Sequence, residues 1–169
     1  MYLARVPTID AAMDLPLPDL APPGTPRGWF KLLLASEVPQ HKDDRAYDVA
    51  LRFTLAGCCY MCAWGESCSD WDDTFDYAVV IPKVYGTPAL PFDPDALGWC
   101  RSTTWYERQT LDEARWYFTA NADPDDGFRP DCHVCLVLVI GGEDLAASVE
   151  ASCRRGIENP DDRPSFPEA

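Results

Sequence analysis

Residues 132–155 read CHVCLVLVIGGEDLAASVEASCRR. The run Cys132–Ile140 is almost continuously apolar and rich in valine, the pattern of a strand covered on both faces. Gly141-Gly142 turns the chain. The stretch 143–155 then opens with Glu143 and Asp144 and closes with Arg154 and Arg155, the charge order a helix dipole favours. The same rhythm of strand and helix recurs upstream. Strand patterns occupy residues 29–35 (WFKLLLA), 58–64 (CCYMCAW) and 99 to 105 or 106, and helix patterns occupy 44–56, 69 to 78 or 81, and 110–121. Four such repeats predict a single three-layer α/β domain with a mainly parallel sheet of about four strands, in flavodoxin-like order 2-1-3-4 or a Rossmann-like order.

The helices carry their own punctuation. Asp43-Asp44 caps the first, with Tyr47, Ala50, Leu51 and Thr54 on its inner face and Gly57 as its stop. Ser69-Asp70-Trp71-Asp72 fits a capping box, which makes Asp72 a solvated first-turn acid and ends the helix before Pro82. Thr110-Leu111-Asp112-Glu113 repeats that signature, with Leu111, Ala114 and Phe118 facing inward. Residues 82–97 are proline-spaced and read as a long loop, and 121–129 as a turn-rich one.

Six prolines (Pro7, Pro16, Pro18, Pro22, Pro23 and Pro26) exclude regular helix and central strand from residues 1–27. That segment is expected to be an extended arm, with Leu15-Pro16-Leu17-Pro18 able to dock on an apolar groove. Residues 28–156 form the α/β domain, and 157–169, with three further prolines, a flexible tail.

The chain has 169 residues, 47% of them hydrophobic, enough for a sizeable core. It has no apolar run of membrane-spanning length, and its start lacks the blocks of a signal peptide, so a soluble cytoplasmic protein is expected. A net charge of −14 with no basic stripe argues against nucleic acid and membrane partners. The same charge aids solubility and suits a basic protein partner.

A parallel sheet with right-handed crossovers brings every helix start to one rim. There Glu37, Glu66 and Glu107 follow the first three strands, and Gly141-Gly142-Glu143 follows the fourth. Crowded carboxylates divide acid and base roles, which makes Glu37, Glu66 and Glu107 the catalytic candidates, although acid also collects at helix starts without any function. Trp64, Trp71, Trp105 and Tyr106 are expected at or near that rim as binding residues, and Cys68, before a helix N-terminus, as the best candidate for a reactive thiol. The pairs Cys59/Cys62 and Cys132/Cys135 have C-x-x-C spacing. On strands, however, residues i and i+3 point to opposite faces, so neither pair chelates zinc and buried thiols are expected. Asp70, Asp72, Asp73 and Asp76 lack the glycine and distal glutamate of a calcium loop. No metal and no cofactor are expected: there is no G-x-G-x-x-G or P-loop, and Glu143 and Asp144 oppose a phosphate at Gly141-Gly142. His133 lies at the end of its strand away from the rim, and His41 lies in a charged loop, so a hydrolase triad is not indicated.

Two stretches, CCYMCAWGESCSDWDD (58–73) and TTWYERQTLDEARWYF (103–118), resemble an uncharacterised bacterial domain family. In that family the position of Tyr106 is often histidine. The resemblance implies one coherent domain and no particular activity. Two functions stay open. One is an acidic, non-catalytic binding module (a regulator, immunity or accessory protein) that engages a basic protein through an acidic, Trp-rich sheet edge. The other is a small hydrolase or transferase using the rim carboxylates on a sugar- or nucleoside-like ring, with Trp64 and Trp105 stacking.

Overall fold

In the computed structural model, residues 1–17, 28–39, 44–96, 101–160 and 164 are described. Five strands, β1 (Tyr2–Val6), β2 (Trp29–Ser36), β3 (Cys58–Gly65), β4 (Ser102–Tyr106) and β5 (Cys132–Ile140), form one sheet in the order β1-β5-β2-β3-β4. Every neighbouring pair is parallel. Five helices accompany it: α1 (Ile9–Met13), α2 (Asp44–Ala56), α3 (Cys68–Tyr85), α4 (Leu111–Ala120) and α5 (Glu143–Glu158).

The strand order differs from the expected 2-1-3-4. The four expected strands run fourth, first, second, third, and a fifth strand, β1, closes the side next to β5. Burial explains the difference. β4 carries Ser102, Thr103 and Thr104 and is only half-buried, so it tolerates an edge, whereas Leu136–Ile140 are all buried and need neighbours on both sides. Trp99, expected in the third strand, lies outside the described residues.

The N-terminal arm is also more ordered than proline chemistry implies. Tyr2–Val6 precede Pro7 and pair with Leu136–Ile140 as an edge strand, and α1 fits between Pro7 and Pro16 under a Thr8 cap. Leu15 and Leu17 pack against the core as the docking reading expects. Arg52 of α2 holds this segment by donating to the carbonyls of Ala12, at 2.9 Å, and Leu15.

Side-chain alternation along the strands divides the core. Leu32, Leu34, Met61, Ala63, Leu136 and Leu138 cluster with Ala46, Val49 and Phe53 of α2 and Trp71, Phe75 and Ala78 of α3. Leu33, Ala35, Tyr60, Cys62, Val137 and Val139 cluster with Phe118 of α4 and Val149 and Cys153 of α5. In α2 the buried residues are Ala46, Val49, Ala50, Phe53 and Thr54, so Ala50 and Thr54 of the expected face are buried while Tyr47 and Leu51 lie at its margin.

Three helix boundaries depart from their sequence signals. Ser67, not Ser69, is the N-cap of α3, so Asp72 falls two residues further in and is buried. Pro82 lies inside α3 with its ring buried, and Gly86 closes the helix by donating to the Pro82 carbonyl at 2.7 Å. A proline so near the end forfeits one bond, which burial of its ring offsets. Gly156 is not a stop: α5 continues to Glu158. The glycine is there because the Arg115 guanidinium presses on it where a Cβ would sit. The α4 cap is as read, with Glu113 N–H donating to Thr110 Oγ1 at 3.3 Å and Thr110 N–H to Glu113 Oε2 at 2.6 Å.

Candidate functional site: the carboxyl rim of the sheet

Parallel strands carry the starts of α2, α3, α4 and α5 to one edge, as expected from the sequence. Backbone bonds stitch that rim. Gly141 N–H donates to the Val6 carbonyl at 3.0 Å, Glu37 N–H to Ile140 at 3.2 Å, and Glu66 N–H to Ser36 at 2.7 Å.

The three candidate carboxylates do not share one role. Glu37 turns back and accepts from Gly142 N–H, 2.5 Å from its Oε1, at the start of α5. Its carboxylate therefore occupies the place where a helix N-terminus would take a phosphate. Glu143 is held by Arg5 at the next strand. Glu66 and Glu107 are exposed after β3 and β4. Glu107 comes close enough to Cys68 for its charge to act on that thiol. Among the described residues, no hydrogen bond or ion pair joins any two of Glu37, Glu66 and Glu107.

The surroundings of Cys68 disfavour its thiolate. The residue is buried, and desolvation pushes its thiol up, against backbone N–H donation from Ser69. The helix-start effect is outweighed because the residue sits under the rim.

The aromatic residues also separate. Trp71 is fully buried against Phe75, with ring centroids 6.4 Å apart, and is unavailable for binding. Trp64 and Tyr106 are register partners on the α4 side of the sheet, while Trp105 pairs with Ala63 on the α3 side. Trp64 and Trp105 therefore cannot stack on one ring together. Trp64 Nε1–H donates to the Gln109 carbonyl at 2.9 Å and fastens the loop that precedes α4. Tyr106 lies 5.4 Å from Tyr117, whose hydroxyl is 3.5 Å from that of Tyr60, and burial pushes the Tyr60 and Tyr106 hydroxyls up. Trp105 alone is open, 51% exposed on the edge strand.

Sequence reading missed two features of α3. The first is buried acid. Burial pushes the Asp72 carboxyl above its ordinary range, the Thr103 hydroxyl opposes this, and the Asp76 and Asp73 charges add to it. A raised folded-state pKa favours the neutral acid, so its contribution to stability is full in acid and declines as pH rises through that pKa. Asp72→Asn is expected to raise the melting temperature at pH 7, with the gain shrinking as pH falls through the raised value and gone once pH is below the ordinary carboxylate range; melts of both proteins across pH 3–7 check this. No gain at pH 7 rules out a desolvated carboxylate.

The second is an exposed stripe. Tyr77, Val80 and Val84 are 54%, 49% and 67% exposed, on the face opposite Trp71, Phe75 and Ala78. Asp73, Tyr77, Val80 and Val84 follow helical spacing, so the stripe starts acidic near the rim and becomes apolar away from it. Beside it, a groove of about 310 Å³ is lined by Val79, Val80, Phe92 and Pro94, with Asp76 and Lys83 also on its walls. The signal was in the sequence: apolar residues at 77, 80 and 84 are out of phase with those at 71, 75 and 78.

Arg101 supports this corner from within. Its side chain is 1% exposed, donates to Thr54 Oγ1 at 3.1 Å and to the Phe75 carbonyl, lies 5.2 Å from the Phe75 ring and is 3.7 Å from Asp76. Among the described residues, no group of three or more His, Cys, Asp or Glu side chains is placed to hold a metal ion, and no helix is long and apolar enough to cross a membrane. His133 is exposed at the start of β5, away from the rim; His41 lies outside the described residues.

Fold and rim define an α/β protein built on a single five-stranded parallel sheet. The chain belongs to the family described as Domain of unknown function (DUF7684), whose model matches residues 8–155. The family thus spans α1 to most of α5, and both signature stretches lie inside it. No curated protein and no solved structure matches the chain.

Proposed function

We propose that this protein is an acidic, non-catalytic binding module that engages a basic protein through the outer face of α3 and the adjoining β4 edge. One observation carries the reading: an exposed helix face that passes from Asp73 to Tyr77, Val80 and Val84, on a chain of net charge −14. Contiguous exposed apolar surface marks interaction sites, and the flanking acid selects a cationic partner. Trp105, Glu66 and Glu107 extend the face at the rim. The two core clusters on alternate strand positions support a three-layer domain behind it, and a cytoplasmic setting suits its free thiols.

The enzyme reading has less to draw on. Glu37 is engaged by Gly142, and Trp64 and Trp105 belong to opposite sides of the sheet.

The test is retention of host proteins on immobilised wild type against V84E, a surface change expected to leave stability within about 0.5 kcal/mol. A protein of basic isoelectric point should bind wild type, elute with rising salt, be lost on V84E and be weakened on E107Q. Equal retention by wild type and V84E refutes the α3 face.

A further inference from the structure

Cysteines meet at the other end of the sheet in a way the C-x-x-C spacing does not announce. Cys59 Sγ lies 3.4 Å from Cys132 Sγ, one thiol from each pair. The β2–β3 register jumps from Phe30↔Cys58 to Lys31↔Tyr60, which leaves Cys59 as the extra residue of a bulge. At the same level the β2–β5 register jumps from Trp29↔Cys132 to Phe30↔Val134. These irregularities release Cys59 from the alternation of β3. Its thiol lies 3.3 Å from the Phe30 carbonyl and reaches past β2 to β5.

The two thiols are not equivalent. Cys59 is fully buried in a cluster with Trp29, Phe92 and Phe128, whereas Cys132 is partly open to solvent. Donation from the Cys59 thiol holds Cys132 below the usual range against desolvation, and the Lys31 ammonium assists. Lys31 is itself anchored on the carbonyls of Phe118, at 3.1 Å, and Ala122, at 2.8 Å. Neighbouring Cys58 is fully buried and pushed up to about 12 by desolvation. Cys132 is thus the attacking thiol and Cys59 the resolving one.

We propose that Cys59 and Cys132 form a peroxide-responsive pair that closes to a reversible disulfide. The Cys132 thiolate attacks one oxygen of hydrogen peroxide; the O–O bond breaks, hydroxide leaves and takes up a proton, and Cys132 becomes a sulfenic acid. The Cys59 sulfur then attacks the Cys132 sulfur. The S–S bond forms, the S–O bond breaks, and water leaves with the Cys59 proton. Two thiols lose two electrons in total, and one peroxide becomes two waters. Two equivalents of a monothiol reverse the bond by exchange.

The experiment treats the folded full chain with stoichiometric hydrogen peroxide, blocks free thiols by alkylation and maps peptides by tandem mass spectrometry. A single Cys59–Cys132 cross-link is expected, with two thiols lost from the free count and recovered on reduction. C58S should retain the link, and C59S and C132S should lose it. Full alkylation of Cys59 and Cys132 after peroxide, or a link from Cys132 to any other cysteine, overturns the pair. The wild-type map decides the matter even where a variant fails to fold.

Discussion

Arg101→Ala is expected to lower stability by about 3 kcal/mol, a fall of about 6–12 °C in melting temperature. The guanidinium joins three elements: Thr54 on α2, the Phe75 carbonyl and Asp76 on α3, and the chain entering β4. Truncation leaves a void beside the Phe75 ring and removes a donor from a buried carbonyl. Asp76 is more than half exposed and rehydrates, so the loss falls at the low end for a broken buried pair. Lysine should not restore the wild-type value, because a single ammonium lacks the planar fork that reaches two acceptors at once. Urea unfolding gives the number directly, and a midpoint shift worth less than about 1 kcal/mol, at unchanged slope, refutes the anchoring role.

Gly65→Ala is the second large effect, expected at about 2–5 kcal/mol from positive-φ strain and overpacking together. Gly65 has φ +99°, and a Cβ there would overlap the Ser36 carbonyl oxygen, a backbone atom that cannot rotate aside. The adjacent bond from Glu66 N–H to Ser36 depends on that approach. Gly86→Ala is the control. Gly86 also has positive φ, at +70°, but nothing lies within 4 Å of its would-be Cβ, so it should cost only about 1 kcal/mol. Similar losses at both positions would mean that overlap at the rim contributes nothing.

Much of the fold was legible because burial writes itself into strand composition. CHVCLVLVI announced an interior strand and the Thr110–Glu113 spacing announced a cap, since both are local. The order of the strands was not legible, because nothing within β5 says which neighbour it pairs with. The arm was misjudged because prolines constrain only their own neighbourhoods, and Tyr2–Val6 escape them. At the candidate site, the shared rim followed from parallel topology, but the fate of each side chain did not. Glu37 was captured by Gly142, a residue far along the chain. Asp72 and Cys68 are buried where α3 begins two residues earlier than its sequence signal. The Cys59–Cys132 contact depends on two bulges, and bulges leave little trace in a pattern of period two.

The pairing of β1 with β5 imposes an order of events on a chain leaving the ribosome. β2, β3 and β4 can associate with α2 and α3 while synthesis continues, but the first strand has no partner until Leu136–Ile140 emerge. Until then the Ser36–Trp29 edge of β2 that β5 will cover stays open, and the nascent sheet presents its most apolar strand to other chains. The emergence of β5 is therefore the step that seals the sheet.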